Sequence, residues 1–339
     1  MILKIELVDN QYIEIEADKM VYFTGTNRKM LWQIYRSIFY YFNKTPALSA
    51  NIYGENNIEL SVDELPVSKK NISFFSINNR ESLYTQMTYK KDTLLFKALN
   101  QVSDDFEINR LIDNINDEQM RISLLIQKHL QSYSDSLTID LRDVNYLELM
   151  KSQMFLGYEE NSNEYPLEFM DTDDLVDEFL NLLKNHLMNA TVPTWLVLSN
   201  LDSFIPRKAK REIMRAVKQF SHDYDLLVIY LGDTLNSIDL AADDMEKVVI
   251  CAKEYHQLLP YDQLIKSVSM RYPNEFKYSP DDFIKSMMRV VPNAGSDQEL
   301  FLNSKDLVLL KIVNELLNYE TSYHFQDQLL TDAEANFLK

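Results

Sequence analysis

Three short, unbroken apolar runs set the architecture of this chain: Trp195-Leu196-Val197-Leu198, Leu226 through Leu231, and Val248-Val249-Ile250-Cys251. Apolar runs of four to six residues without polar alternation are strands covered on both faces, the habit of parallel sheets. Helical spacing fills the stretches between them, so strand and helix alternate and the sheet is mostly parallel. Upstream, Met20–Phe23 reads as another buried strand, ended by Thr24-Gly25. Leu31, Ile34, Ile38, Tyr41 and Phe42 then place a helix directly after it. Residues 1–16 alternate as a hairpin with a turn at Asp9-Asn10. Further strands are expected over 52–60, with a turn at Gly54 to Asn57, and over 72–77.

From about residue 92 to 190 the period is helical. Leu94, Leu99 and Phe106 lead into Leu111, Ile115, Ile122 and Ile126, and an irregular stretch with Gly157 and Pro166 follows. A helix then starts near Thr172 and carries Leu175, Phe179, Leu183 and Leu187. Residues 261–339 also read as helical, and Thr331-x-x-Glu334 has the spacing of a capping box. The predicted organisation is an α/β head from 1–91 and 191–260, a helical insertion over 92–190, and a helical C-terminal extension over 261–339.

Charge follows that division. The 339 residues carry 34 basic and 52 acidic side chains, a net −18, yet residues 101–190 alone hold six basic against nineteen acidic. Such acidity excludes non-specific nucleic-acid binding by the whole surface, because phosphate affinity comes from clustered cations. A local basic face on the nearly neutral head stays open. One cysteine excludes an intrachain disulfide, a CxxC pair and a cysteine-rich zinc site. The opening MILKIELVDN lacks a basic leader segment and no apolar run approaches membrane-spanning length, so a cytoplasmic chain without membrane contact is expected.

The five glycines, at 25, 54, 157, 232 and 295, lie too far apart for GxGxxG or an intact GxxxxGK[ST] loop. Val21 to Met30 nevertheless sits where a phosphate loop would, between a strand and a helix N-terminus. With Gly25 as first glycine, Met30 replaces the second, Leu31 the lysine and Trp32 the magnesium-binding hydroxyl. This is a degenerate loop, and no catalysis is expected from it. The Trp195–Asp202 segment resembles a strand ending in a magnesium-binding acid. Without a lysine loop opposite, Asp202 is assigned instead to the N-terminus of the next helix.

That helix is the most informative segment. Lys208, Arg211, Arg215 and Lys218 recur at three, four and three residues, which stacks four cations on one face. Arg207 and Lys210 bring the count to six basic residues within twelve positions, against Glu212 alone. Ala209, Ile213, Ala216, Val217 and Phe220 form the apolar stripe. The face is either a solvated one or a sequence-independent contact with the DNA backbone. Arg28 and Lys29, with Lys69, Lys70, Lys90 and Lys91, could extend it. Asp171, Asp173, Asp174 and Asp177 leave two readings open: a solvated acidic face with ordinary helix capping, or a calcium site.

The hairpin start, the degenerate Met20–Met30 loop, the helical insertion, the Leu196–Asp202 strand and then Leu226–Leu231 and Val248–Cys251 together resemble one family. It is the spacer-acquisition family of type II-A CRISPR loci, the second member of the Csn proteins, and residues 261–339 resemble the extra helices of its long subgroup. The resemblance implies an ABC-ATPase-like head without ATPase activity and a homotetrameric ring around double-stranded DNA that binds its ends. It also implies partnership with the CRISPR integrase proteins and the RNA-guided effector nuclease. Calcium, bound by shorter members, is left open as a cofactor, and no other is required. Two other readings stand beside this one: an active P-loop-type NTPase, and an interaction scaffold of the adaptation complex that never touches DNA.

Overall fold

The computed structural model describes residues 1–8, 11–43, 58–160, 162–296, 302–320 and 331–338. The chain divides into two compact units, Met1–Ser82 together with Leu187–Lys339, and Leu83–His186.

In the first unit, β1 (Ile2–Glu6) and β2 (Tyr12–Glu16) pair antiparallel, with Leu3 opposite Ile15 and Ile5 opposite Ile13. Their predicted turn at Asp9-Asn10 lies outside the described residues, as does the Gly54–Asn57 turn. β3 (Met20–Thr24) is buried throughout, and α1 (Arg28–Asn43) follows it, burying Leu31, Ile34 and Ile38. β4 (Leu60–Val62), β5 (Leu65–Pro66) and β6 (Ser73–Ile77) complete the N-terminal part. α2 (Arg80–Thr85) leads out of it.

The second unit holds α3 (Leu94–Asn100), α4 (Phe106–Gln131) and α5 (Tyr146–Gln153), capped by the side chains of Thr93, Asp105 and Asn145 respectively. Asn116 and Gln127 of α4 clamp the extended 137–144 backbone, each with one donated and one accepted hydrogen bond of 2.8–3.0 Å. The stretch expected to be irregular is a second hairpin, β7 (Gly157–Glu160) with β8 (Asn163–Pro166). Tyr158 stands opposite Tyr165 there, a cross-strand aromatic pair that favours the ladder. α6 (Thr172–Asn189) returns the chain to the first unit.

The first unit resumes with β9 (Thr194–Ser199), α7 (Arg207–Asp223), β10 (Leu226–Gly232), β11 (Val248–Cys251) and β12 (Tyr255–Gln257). Four helices follow: α8 (Tyr261–Arg271), α9 (Pro280–Val290), α10 (Ser304–Leu316) and α11 (Asp332–Leu338). The central sheet runs β12-β11-β3-β10-β9-β6. β11, β3, β10, β9 and β6 are parallel and only the edge strand β12 is antiparallel, as the apolar runs predict. A smaller antiparallel sheet runs β2-β1-β4-β5.

Alternation along the strands divides the core. Val21, Phe23, Val197, Ile229 and Val249 meet α1 and the smaller sheet, including Leu3, Ile5, Ile13 and Ile15. α7 packs along β10 and buries Ala209, Ile213, Met214, Val217 and Phe220. The unit is thus a mixed α/β sandwich with the parallel sheet in the middle. Among the described residues no helix is long and apolar enough to cross a membrane.

Candidate nucleic-acid interface

Parallel strands deliver the helices that follow them to one edge of the sheet, the carboxyl edge, where ligands of open α/β folds bind. Here β3 leads to α1 and β9 leads to α7, with β10 hydrogen-bonded between them. β3 and β9 therefore end on either side of the carboxyl end of β10, with α1 on the face that carries the smaller sheet and α7 on the opposite face, where Lys210 meets Tyr230. Arg28 reaches the end of β10 through an ion pair of 2.7 Å with Asp233, just past that strand.

The turn between β3 and α1, expected as a degenerate phosphate loop, is closed by its own chain. Gly25 has φ of +143°, and a Cβ built on it would lie 2.2 Å from the Cys251 carbonyl oxygen. The Asn27 N–H donates to that carbonyl at 3.0 Å, and Asn27 Nδ2 donates to the Ala252 carbonyl at 2.7 Å. Asn27 Oδ1 in turn accepts the Met30 N–H at 3.0 Å, capping α1. Both donors of Asn27 are therefore spent on the end of β11 and the residue after it. Leu31, at the position of the phosphate-binding lysine, is buried in the core. Burial pushes the Cys251 thiol up to about 12, so it is no nucleophile.

Asp202 and Lys210 correct two expectations at once. Asp202 does not cap the helix after it: its carboxylate accepts from Lys210 Nζ at 2.7 Å. The Lys210 side chain is fully buried, which removes it from any DNA-contacting surface. Its Nζ also sits 5.2 Å from the Tyr230 ring centroid, a cation–π geometry. Desolvation lowers the Lys210 ammonium below its ordinary range despite the hydrogen bond and charge of Asp202. The signal was present in the sequence, since 209, 210, 213, 214 and 217 share one helical face and Lys210 interrupts an otherwise apolar stripe.

The cationic stripe is not uniform. Arg207, Lys208 and Arg211, on the first two turns of α7, are exposed, and Lys208 stands 3.8 Å from Glu212. Farther along, Arg215 is ion-paired with Asp239 and Lys218 with Asp244. Asp244 is itself buried, accepts the Ala241 N–H at 2.9 Å, and has Lys247 Nζ at 3.1 Å. Burial would raise the Asp244 carboxyl, but the hydrogen bonds from Lys218, Ala241 and Lys247 outweigh it and hold the group below the usual range. Charge accessible to a phosphate thus concentrates at the start of α7, on the edge shared with Arg28 and the exposed Lys29. The clustering of Asp239, Asp243 and Asp244 after the helix was the unused clue. Lys69 and Lys70 are exposed as well, and Lys69 lies 4.4 Å from the Tyr41 ring centroid.

In the second unit the four predicted carboxylates cluster at the head of α6. Asp171 Oδ1 accepts the Asp173 N–H at 3.1 Å at the head of α6, and Asp177 is exposed. Asp173 and Asp174 occupy the first turn. Among the described residues, no group of three His, Cys, Asp or Glu side chains lies close enough together to hold a metal ion.

No family profile matches this chain, and no curated protein matches it by sequence. Its likeness is to solved structures. Stu0660 of Streptococcus thermophilus superimposes over the full length of both chains, with a TM-score of 0.84 at 19% identity. The two chains share one fold from end to end. CbiO1 of Clostridium perfringens, part of the ABC transporter complex cbiONQ, covers 80% of this chain and 95% of its own at 12% identity, with a TM-score of 0.35. The Smc head domain of Pyrococcus furiosus covers 79% and 98% at 9% identity, with a TM-score of 0.40. At those scores neither adds to the fold assignment.

Proposed function

We propose that this chain is a non-catalytic, sequence-independent double-stranded-DNA-binding protein that serves the acquisition of new CRISPR spacers in antiviral defence. It acts as a homotetrameric ring, with the carboxyl edge of each central sheet turned to the duplex, beside the integrase proteins and the RNA-guided nuclease. The observation that carries this reading is the gathering of Arg207, Lys208 and Arg211 with Arg28 and Lys29 on one edge of the sheet, in a chain of net charge −18. Cations of that kind, repeated in four subunits around a channel, focus the field on a phosphate backbone while surplus carboxylates face the solvent. The order of segments that resembles the spacer-acquisition family supports the cellular role, and the end-to-end likeness to Stu0660 supports one continuous fold for it. The loop closed by Asn27, Cys251 and Ala252 supports the absence of nucleotide hydrolysis.

The test is duplex binding by anisotropy across a salt series, with native mass in parallel. The triple variant R207E/K208E/R211E should lose most affinity, and losing three phosphate contacts per subunit should flatten the log K against log salt slope by about 2.7 for each subunit that touches the duplex. Unchanged affinity in that variant would sink this surface. A tetramer that retains linear duplex and not closed circles supports threading, and stoichiometric ATP binding lost in Lys29→Ala would restore the NTPase reading.

A further inference from the structure

The chain has two tryptophans, and they stand in opposite environments. Trp195 is 5% exposed in the core, whereas Trp32, in the second turn of α1, is 55% exposed. Lys29 precedes Trp32 by three residues and Arg36 follows it by four, so all three share one face of the helix. The Arg36 guanidinium lies over the indole, 4.5 Å from the ring centroid, and the large exposed fraction of Trp32 leaves indole surface facing water. Exposure of one large side chain is ordinary; the cations around this one are not. Arg28 and Lys29 at the head of the helix, and Arg36 on the ring, make a flat π surface framed by cations. That is the chemistry of base stacking combined with phosphate contact. Arg28 is ion-paired with Asp233 in a solvent-exposed contact, which a phosphate can displace.

Base pairs inside a duplex hide their faces from such a platform, and only a terminal or unpaired base presents one. We propose that the Trp32–Arg36 pair is a stacking platform for a terminal or unpaired nucleobase of DNA, with Lys29 and Arg28 on the adjoining phosphates. This rests on the duplex-binding reading above and adds to it an element that recognises ends.

The test uses the intrinsic fluorescence of the full chain, titrated with one sequence prepared as a duplex with single-stranded overhangs, as a blunt duplex and as a closed circle. Anisotropy of labelled DNA reports total binding in parallel. Trp195, enclosed in the core, supplies a constant background. Overhangs should quench Trp32 most, blunt ends less, and the circle not at all. Trp32→Ala should cost about tenfold in affinity for overhangs with little change for the circle, while Trp32→Phe keeps most of the preference because stacking needs only a π face. Both substitutions sit on an exposed position, and an unchanged thermal midpoint confirms folding. An overhang preference that survives Trp32→Ala overturns the proposal, and so does tryptophan emission that stays fixed while overhang DNA binds. Quenching by a single-stranded oligonucleotide with no binding of any duplex would instead keep the platform and overturn the duplex reading.

Discussion

The ammonium of Lys210, wholly enclosed on the inner face of α7, lies 2.7 Å from the carboxylate of Asp202 at the end of β9. The two partners are unequal, because the Asp202 side chain keeps 37% of its exposure. Losing Lys210 leaves a carboxylate that water can still solvate, whereas losing Asp202 strands a buried cation. Asp202→Ala should therefore destabilise the protein by about 3–5 kcal/mol, and Lys210→Met by no more than about 1 kcal/mol. Burial holds the Lys210 ammonium below its usual range, so the unfolded chain binds the proton more tightly and the Asp202→Ala deficit should shrink as pH rises toward about 10. Urea denaturation of both variants at neutral and alkaline pH checks the order, and equal losses would refute it.

Arg211 and Lys218 belong to the same cationic stripe and should separate cleanly. Arg211 is exposed, so Arg211→Ala should leave stability within about 0.5 kcal/mol and lower the salt slope of DNA binding by about 0.9 for each subunit that touches the duplex. Lys218 neutralises the buried Asp244, so Lys218→Ala should cost about 1–3 kcal/mol of stability. Its effect on DNA affinity should be small. A Lys218 variant of full stability with lost DNA binding would place the interface farther along α7.

The sheet was legible because its signal is local: β9, β10 and β11 lie where three unbroken apolar runs fall, whereas the equally unbroken Leu307–Leu310 run is a buried turn of α10, set apart by the helical spacing that continues through Ile312 and Val313. Thr331-x-x-Glu334 was legible for the same reason, and the Glu334 carboxylate accepts the Thr331 N–H at 2.9 Å. The site was half legible. Spacing placed Lys208, Arg211, Arg215 and Lys218 on one face, but it carries no information about Asp239 and Asp244, which return to that face only through the chain after β10. Lys210 belongs to the same run of charges by number but to the buried side of α7 by position. The need for a glycine at position 25 comes from Cys251, 226 positions away, whose carbonyl leaves no room for a Cβ.

Glu334 ties α11 to the body of its unit. Its Oε1 accepts from Lys305 Nζ at 2.6 Å and from the Tyr272 hydroxyl at 2.8 Å, while Oε2 caps the helix through Thr331. Burial would raise this carboxyl, yet those donors, Lys305 foremost, hold it at about 2. A depressed acid stabilises the fold fully above its unfolded value near 4.5 and loses that contribution as pH falls toward 2. The slope in that window is about 1.4 kcal/mol per pH unit. Glu334→Gln should speed hydrogen exchange across the α11 amides at neutral pH and remove their acid sensitivity between 4.5 and 2. Exchange unchanged by the substitution would mean that α11 is held by other contacts.

His186 sets a different acid window. Desolvation, with the Lys97 charge adding to it, pushes this imidazole down to about 4, so it is neutral in the folded protein at pH values where an unfolded histidine is half protonated. A depressed base works against folding as pH falls: between about 6.5 and 4 the unfolded chain takes up a proton that the native state refuses. Stability should drop by about 1–2 kcal/mol from pH 7 to pH 5 on this account. His186→Gln removes the titrating group, so the variant should show a flatter stability profile from pH 7 to 5 than the parent, whatever its stability at pH 7. Lys97→Met, which takes away the neighbouring cation, should move the midpoint of that loss to lower proton demand by raising the His186 value toward 6.5. Denaturant midpoints for the parent and both variants at pH 7, 6 and 5 decide it, and parallel profiles for all three would exclude His186 as the source.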